Sequence, residues 1–197
     1  MKSMISAVAA LFVLTAAVVA QAPQTAKPGA DAKTAAAPAP QARKPGAEQK
    51  RIGYFAGQWT FQGEAKPSPM GPGGKIAMTE TCEWFAGGFQ LVCRSKGTGP
   101  MGPGTSQSVM GYDASRKAYT FHAISSHGDT IFVRGNVDGK VWTYVDDITV
   151  EGKPMKIRAT VTEETPSSYS FKLEASFDNG PMVVMEEGKA TKVKGTT

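Results

Sequence analysis

The sequence predicts an all-β protein, an antiparallel up-and-down β-barrel of about ten strands with a short N-terminal helix before the first strand. Three observations predict this fold. Short runs of alternating apolar and polar residues follow one another to the end of the chain, turn-forming residues separate them, and no long amphipathic helix follows Trp59. Consecutive hairpins leave two exposed edges unless the sheet closes, so a barrel is favoured and a two-sheet sandwich is the alternative.

Residues 1–20 have the pattern of a secretory signal peptide. Lys2 is followed by an apolar run that ends in the small residues Val18 and Ala20. The run is short for a membrane span and no basic residue follows it directly, which disfavours a membrane anchor. We therefore predict cleavage after Ala20, a secreted or periplasmic location, and no stable membrane insertion after cleavage.

Residues 21–44 form a predicted disordered tether that consists mostly of Ala, Pro, Lys, Gln and Thr. It contains no aromatic or branched aliphatic residue, so it cannot bury enough apolar surface to offset the entropy of ordering. Residues 45–197 are the predicted barrel domain. Most of the net charge of +5 lies before residue 51, and the domain has no basic cluster, so nucleic-acid binding is not predicted.

The domain is predicted to begin with a short helix within residues 44–56, where Pro45 lies near the first turn and Ile52 and Phe55 share a face. Trp59 and Phe61 alternate with polar residues in the first strand. The predicted strands are 58–64, 76–85, 89–96, 105–112, 118–125, 130–136, 140–150, 154–162, 168–176 and 181–193.

A hairpin is predicted around Gly87-Gly88, because glycine supplies the positive φ that a two-residue turn needs. Counting outward from this turn places Trp84 opposite Leu91 and Cys82 opposite Cys93. These four side chains share one face because strand side chains alternate with period two. Directly opposed residues lie close enough for a disulfide, and export supplies an oxidising environment, so we predict a Cys82–Cys93 bond.

The pentapeptide P-M-G-P-G occurs twice, at Pro69–Gly73 and at Pro100–Gly104. The hairpin register brings these two segments side by side at one end of the barrel. They either simply end two strands, or they place Met70 and Met101 as an adaptable apolar lip at the mouth. A Cu(I) site on the two methionines is a third interpretation, but no metal site is predicted.

Several motifs in a fixed order carry a family resemblance. They are F-A-G-Q-W-T-F-Q-G at 55–63, W-F-A-G-G-F at 84–89, G-Y-D-A-S-R-K-A-Y at 111–119, and E-E-G-K-A-T-K near the C-terminus. Together, over residues 52–193, they resemble the secreted bacterial proteins grouped as domain of unknown function DUF 1579. The resemblance implies a calycin-like, lipocalin-type barrel with no established activity, and it supplies no catalytic residues.

The G-x-W at Trp59 is also similar to the start of lipocalins, fatty-acid-binding proteins and haem-binding nitrobindins. That similarity implies that Trp59 packs across the closed end of the barrel as a core residue. The haem analogy needs an axial histidine on a C-terminal strand, whereas the two histidines are His122 and His127. No cofactor is therefore predicted.

Ser125, Ser126, His127 and Asp129 invite a hydrolase interpretation. The segment is expected to be a turn, adjacent strand residues point to opposite faces, and the chain has no G-x-S-x-G elbow. We therefore predict that the protein is not an enzyme. His122 is expected on an apolar strand face with Ile124, either as a hydrogen-bonded core residue or as a ligand contact inside the barrel.

Two functional hypotheses remain. The first is a binding protein that holds a small apolar or amphipathic molecule in the barrel, and the second is a structural or protein-interaction module with a filled barrel. The internal volume distinguishes them. The ligand-contacting residues predicted for the first hypothesis are Trp84, Phe121, His122, Trp142, Met70 and Met101.

Overall fold

The computed structural model describes residues 43–69, 71–150 and 152–194, and for Val150 the backbone alone. The predicted signal peptide, almost all of the predicted tether and Met70 therefore lie outside the described residues. Within the described part, no helix is long and apolar enough to cross a membrane.

The described chain begins with helix α1 (Ala47–Ile52) and a 3-10 turn (Gly53–Phe55), in the place of the predicted helix. Ten strands follow, as predicted. They are β1 Gly57–Ala65, β2 Gly74–Trp84, β3 Leu91–Gly99, β4 Gly102–Asp113, β5 Ala118–Ser125, β6 Thr130–Asp138, β7 Val141–Val150, β8 Lys153–Thr165, β9 Ser168–Phe177 and β10 Met182–Lys192.

The strands form one closed barrel in which each strand pairs antiparallel with the next one in sequence. β1 closes the barrel by pairing with β10, with Trp59 opposite Lys192 and Gly63 opposite Gly188. Carbonyls of the partner strand leave no room for a Cβ at Gly63 or Gly188, so both glycines permit the close approach of these two strands. The closed sheet confirms the predicted barrel and shows that the sandwich alternative is wrong. Closure pairs both edges of the sheet.

The β2–β3 hairpin has the predicted register, with Cys82 opposite Cys93 and Trp84 opposite Leu91. The Cys82–Cys93 disulfide is present, and its Cα atoms are 4.0 Å apart. The connection is longer than the predicted two-residue turn, because the paired strands stop at Trp84 and resume at Leu91. Gly87 and Gly88 have φ of 92° and 74°, so this loop does use glycine for left-handed backbone.

Helix α1 and the 3-10 turn close one end of the barrel and are called the plug below. Ile52 and Phe55 are buried there against Trp59, Leu91 and Trp142. The indole nitrogen of Trp59 donates a hydrogen bond of 2.8 Å to the carbonyl of Phe55. Trp59 is therefore a core residue at the closed end, as expected.

A partly buried ion pair fixes this plug to the barrel wall. Arg51 of α1 lies 2.7 Å from the carboxylate of Glu163 on β8, and Trp142 of β7 donates a hydrogen bond of 2.6 Å to the same carboxylate oxygen. The guanidinium also lies 4.8 Å from the Trp142 ring centre and donates to the carbonyl of Gly139. Helix α1 is thus held by charge and by packing.

The opposite end is the open one. A second apolar cluster of Met155, Ala175 and Met185 fills the β8–β10 side near this end. On the other side, a Cβ placed on Gly74 would lie 3.7 Å from Pro100, so the start of β2 and the β3–β4 turn are neighbours. A space bordered by Met78, Ser106 and Met101 opens on this side.

Candidate functional site

A cavity of about 210 Å³ lies inside the barrel, between the plug and the open end. Side chains from the inward-facing positions of the strands and from the 3-10 turn surround it. They are Phe55, Phe61, Glu80, Cys93, Ser108, Met110, Phe121, Val133, Tyr144, Ala159, Val161 and Tyr169.

Five of the twelve residues that line the cavity are aromatic. The ring centre of Phe61 lies 6.0 Å from that of Tyr169, and the ring centre of Phe121 lies 6.2 Å from that of Tyr144. Phe55 forms the floor and packs edge-on against Trp142 at 5.1 Å. Rings held against one another in this way keep their positions, so the cavity is a preformed apolar space.

Glu80 places a carboxyl group in this apolar wall. It lies opposite Trp59 in the sheet, and a carboxylate oxygen is within 4.8 Å of both disulfide sulfurs. Among the described residues it has no hydrogen-bond or ion-pair partner. Burial disfavours its charged form and raises the pKa of Glu80 to about 7, so the group titrates near neutral pH.

Two phenol groups also border the cavity. Burial raises the pKa of Tyr169 well above its ordinary value, and the charge of Glu80 adds to this effect. Burial also raises the pKa of Tyr144, whose enclosed hydroxyl has no hydrogen-bond partner in the described part of the chain. Both phenols are therefore neutral at physiological pH, and the hydroxyl of Tyr144 retains unused hydrogen-bonding capacity.

Glu80, Cys82 and Cys93 come close enough together to suggest a metal site. The two sulfur atoms, however, are joined in the disulfide, whereas metal coordination by cysteine requires the thiolate. While the disulfide is formed, neither sulfur is available as a thiolate ligand, and the pair is a structural cross-link next to a carboxyl group.

A second space of about 270 Å³ lies at the mouth of the barrel. Some of the residues that border it lie two positions along a strand from a residue of the cavity. Met78 borders this space and Glu80 borders the cavity, and Ser106 and Ser108 are related in the same way. Met101, His127, Asp129 and Glu186 surround the outer part of this space. The two spaces therefore lie one behind the other along the lumen.

The sequence-predicted contact residues lie in different places. Phe121 lines the cavity, and Met101 borders the mouth, where it is largely exposed. Trp142 is fully buried between the plug and Tyr119 rather than at the cavity surface. Met70 is outside the described residues.

Two predicted positions are corrected. Trp84 has the predicted register, but it lies at the end of β2 beside Gly53 of the plug, where 40% of it is exposed. His122 lies on the outer face of β5, edge-on to Phe132, and Ile124 is exposed on the same face. The inward face of β5 carries Tyr119 and Phe121. The prediction that His122 and Ile124 lie on an apolar, inward-facing side of this strand was therefore wrong.

Sequence reasoning did not identify Glu80, Tyr144 and Tyr169 as cavity residues. A signal was available for the first two, because Glu80 precedes Cys82 by two residues and Tyr144 follows Trp142 by two. Period-two alternation places each on the same face as a buried neighbour. Glu80 was not assigned to the cavity because carboxylates are rarely buried inside a protein.

The Ser125–Asp129 segment forms the β5–β6 turn, as expected. The Ser125 hydroxyl donates a hydrogen bond of 2.9 Å to the Asp129 carboxylate and accepts one from the backbone N–H of His127. These contacts stabilise the turn and leave the Ser125 hydroxyl engaged with a carboxylate rather than with the imidazole.

Comparison with solved structures finds other barrels at low sequence identity. Rv2717c from M. tuberculosis is 11% identical, with 77% of this chain and 100% of that chain covered and a TM-score of 0.55. The S-type phycobiliprotein lyase CPES from Guillardia theta is 11% identical, with 76% and 94% covered and a TM-score of 0.48. A de novo designed fluorescence-activating β-barrel is 16% identical, with 71% and 94% covered and a TM-score of 0.40.

No curated protein matches the chain. The family described as "protein of unknown function (DUF1579)" matches residues 44–192, which include the plug and all ten strands. The chain therefore belongs to the DUF1579 family.

Proposed function

We propose that this protein is a non-enzymatic binder of a small apolar or amphipathic molecule, which it holds in the barrel cavity. The observation that carries the proposal is an aromatic cavity that contains a carboxyl group and borders a hydroxyl group, both without partners in the described chain. Buried polar groups without partners cost free energy in the empty protein, and a ligand that pairs with them recovers part of that cost.

The cavity volume limits the size of the ligand. An engineered apolar cavity of about 150 Å³ binds benzene, whereas drug-sized ligands occupy roughly 300–1,000 Å³. A space of about 210 Å³ therefore suits a single ring or a short branched chain. A longer ligand would extend a tail into the space of about 270 Å³ at the mouth.

The chemistry of the wall favours binding over catalysis. Ser108 is the hydroxyl side chain that borders the cavity besides the tyrosines, and among the described residues no hydrogen bond joins it to a base. Glu80 has no described partner that would orient it as a general base. Without a nucleophile and base held together, the site lacks the arrangement that covalent or hydrolytic catalysis requires.

The proposed setting is outside the cytoplasm. The N-terminal signal sequence would direct export, and the structural disulfide is the kind of bond that persists in an oxidising compartment.

The proposal is tested by titrating the exported protein with benzene and benzyl alcohol while recording melting temperature and tryptophan fluorescence. Phe55 lines the cavity and contacts Trp142, so a bound ligand should change the emission of that indole. Ala159→Leu places extra carbon atoms in the cavity and should abolish the response. Val145→Leu is the matched control, because Val145 is exposed on the neighbouring strand β7.

The competing hypothesis of a filled interaction module makes the opposite prediction. Neither probe should then change the melting temperature or the fluorescence, and Ala159→Leu should behave like Val145→Leu in every measurement. That result would refute the binding proposal.

A further inference from the structure

We propose that the ligand is a small organic cation, an amine with an apolar body of about one ring, whose ammonium group is held by Glu80. This inference rests on the proposed function and adds the charge of the ligand. Four observations support it.

The first observation is that the barrel pairs one largely buried carboxylate and leaves another unpaired. At the closed end, Glu163 lies 2.7 Å from Arg51 and accepts a hydrogen bond from Trp142. In the cavity, Glu80 has no such partner among the described residues. A buried carboxylate is normally balanced by a cation, so Glu80 lacks a positive partner that a ligand can supply.

The second observation concerns the groups that surround Glu80. β1 presents Trp59 and Phe61, β3 presents Cys93, the plug presents Phe55 and β9 presents Tyr169. Tyr169 is the titratable group among these, and burial raises its pKa, which keeps it protonated and neutral. None of them carries a positive charge that would attract an anionic ligand.

The third observation is the charge of the path that leads to the cavity. Among the described residues, neither the cavity nor the mouth is bordered by a lysine or an arginine, and His127 is the basic side chain present. The mouth carries the carboxyl groups of Glu186 and Asp129, and burial raises the pKa of Glu186. Carboxyl groups at the mouth attract cations and repel anions such as fatty acids when they are ionised.

The fourth observation is the aromatic wall. Phe61, Phe121 and Tyr169 border the same space as Glu80, and aromatic rings attract ammonium groups, more strongly when water is excluded. The oxygen of the unpartnered Tyr144 hydroxyl is a further acceptor bordering the cavity. A neutral alcohol would use the hydrogen-bonding groups, whereas a cation also uses the aromatic faces and the acidic path.

Ligand charge and proton binding are then coupled at Glu80. An ammonium group binds best to the ionised carboxyl, and burial places the pKa of Glu80 at about 7 in the empty barrel. Binding of an amine should therefore release a proton from Glu80 near neutral pH. Affinity should rise between about pH 5.5 and pH 8 and level off above that, as long as the amine itself stays protonated.

The experiment compares three probes of nearly equal size: benzylamine, benzyl alcohol and benzoate. Calorimetric titration of the exported protein at pH 8 should show benzylamine binding about tenfold or more tightly than benzyl alcohol, with benzoate weakest. Glu80→Gln should weaken benzylamine binding about tenfold to a hundredfold, the usual range for losing a hydrogen bond to a charged group, and should abolish the pH dependence. Benzyl alcohol binding should change little.

Glu83→Gln is the matched control, because Glu83 lies on the same strand with its side chain exposed. If benzyl alcohol binds as tightly as benzylamine, or if Glu80→Gln leaves benzylamine binding unchanged, the ligand is not a cation held at Glu80, and the proposed binding function still stands. If Glu83→Gln weakens benzylamine as much as Glu80→Gln does, the attraction is a general surface effect and the inference is overturned. If none of the three probes binds, the proposed binding function fails as well.

Discussion

Replacing Glu80 with glutamine should stabilise the ligand-free protein, and the gain should grow with pH. Burial raises the pKa of Glu80 from an ordinary value of 4.5 to about 7, because the charged form is poorly solvated next to the disulfide and the aromatic rings. Well below an ordinary pKa of 4.5 the carboxyl is neutral in both the folded and the unfolded chain. As the pH rises, the unfolded chain ionises first, and stability is lost until the folded form has also ionised above about pH 7.

The magnitude follows from the difference between these two pKa values. About 2.5 pH units at 1.36 kcal/mol each give up to about 3 kcal/mol of stability that the wild-type protein loses between acid and alkaline pH. Glutamine has nearly the same shape and does not ionise, so it avoids this loss. For a domain of this size, each kcal/mol changes the melting temperature by roughly 2–4 °C, so the expected difference is about 10 °C.

The assay is urea denaturation of wild-type protein, Glu80→Gln and the exposed control Glu83→Gln at pH 5 and pH 9. The free energies of unfolding of wild-type protein and Glu80→Gln should differ by about 1 kcal/mol at pH 5 and by up to about 3 kcal/mol at pH 9. Glu83→Gln should follow the wild type at both values. A Glu80→Gln effect of the same size at both pH values would arise from packing, and it would contradict a stability loss caused by ionisation of Glu80.

Three other predictions do not depend on the ionisation of Glu80. Tyr144→Phe removes the enclosed hydroxyl that has no described partner. Urea denaturation should therefore show an unfolding free energy about 1 kcal/mol higher at all pH values below about 9. A loss of stability would show that the hydroxyl is paired. Replacing Cys82 and Cys93 together by alanine opens a loop with a sequence separation of 11 and should cost about 2–3 kcal/mol, whereas an unchanged denaturation midpoint would indicate a rigid hairpin without the bond. The intact mass of the protein purified from a bacterial host that secretes proteins should lack residues 1–20, and a mass that includes them would contradict cleavage after Ala20.

The sequence was sufficient to predict most of the fold because its local signals agree with one another. Alternation sets strand phase in β2 and β3, where the Cys82–Cys93 pair also fixes the register. In β5 the alternation is ambiguous, since apolar residues occupy both faces and Ile124 is as hydrophobic as Phe121. There the pairing of Phe121 with Met110 on β4 determines the inward face, and that contact is not readable from β5 alone.

The cavity itself could not be predicted, for a different reason. Its volume depends on how side chains from different strands meet, as Phe121 and Tyr144 do at 6.2 Å between ring centres. Small changes in such contacts decide whether a lumen is filled or hollow. Glu80, in contrast, follows from the same alternation that places Cys82 inside, once the expectation that acidic residues are exposed is set aside.

Ligand binding and stability meet in the same carboxyl group. In the empty barrel, ionised Glu80 lowers stability by up to about 3 kcal/mol because no described cation balances it. A bound ammonium group would supply that balance, so it should remove much of the loss in addition to contributing its own contacts. A saturating concentration of benzylamine should therefore raise the melting temperature more at pH 8.5 than at pH 5.5, while benzyl alcohol should raise it equally at both. In Glu80→Gln, benzylamine should raise the melting temperature equally at both pH values, as benzyl alcohol does. If benzylamine instead stabilises the wild type more at pH 5.5, the bound ligand prefers the protonated carboxyl, and the coupling between cation binding and the ionisation of Glu80 has the wrong sign.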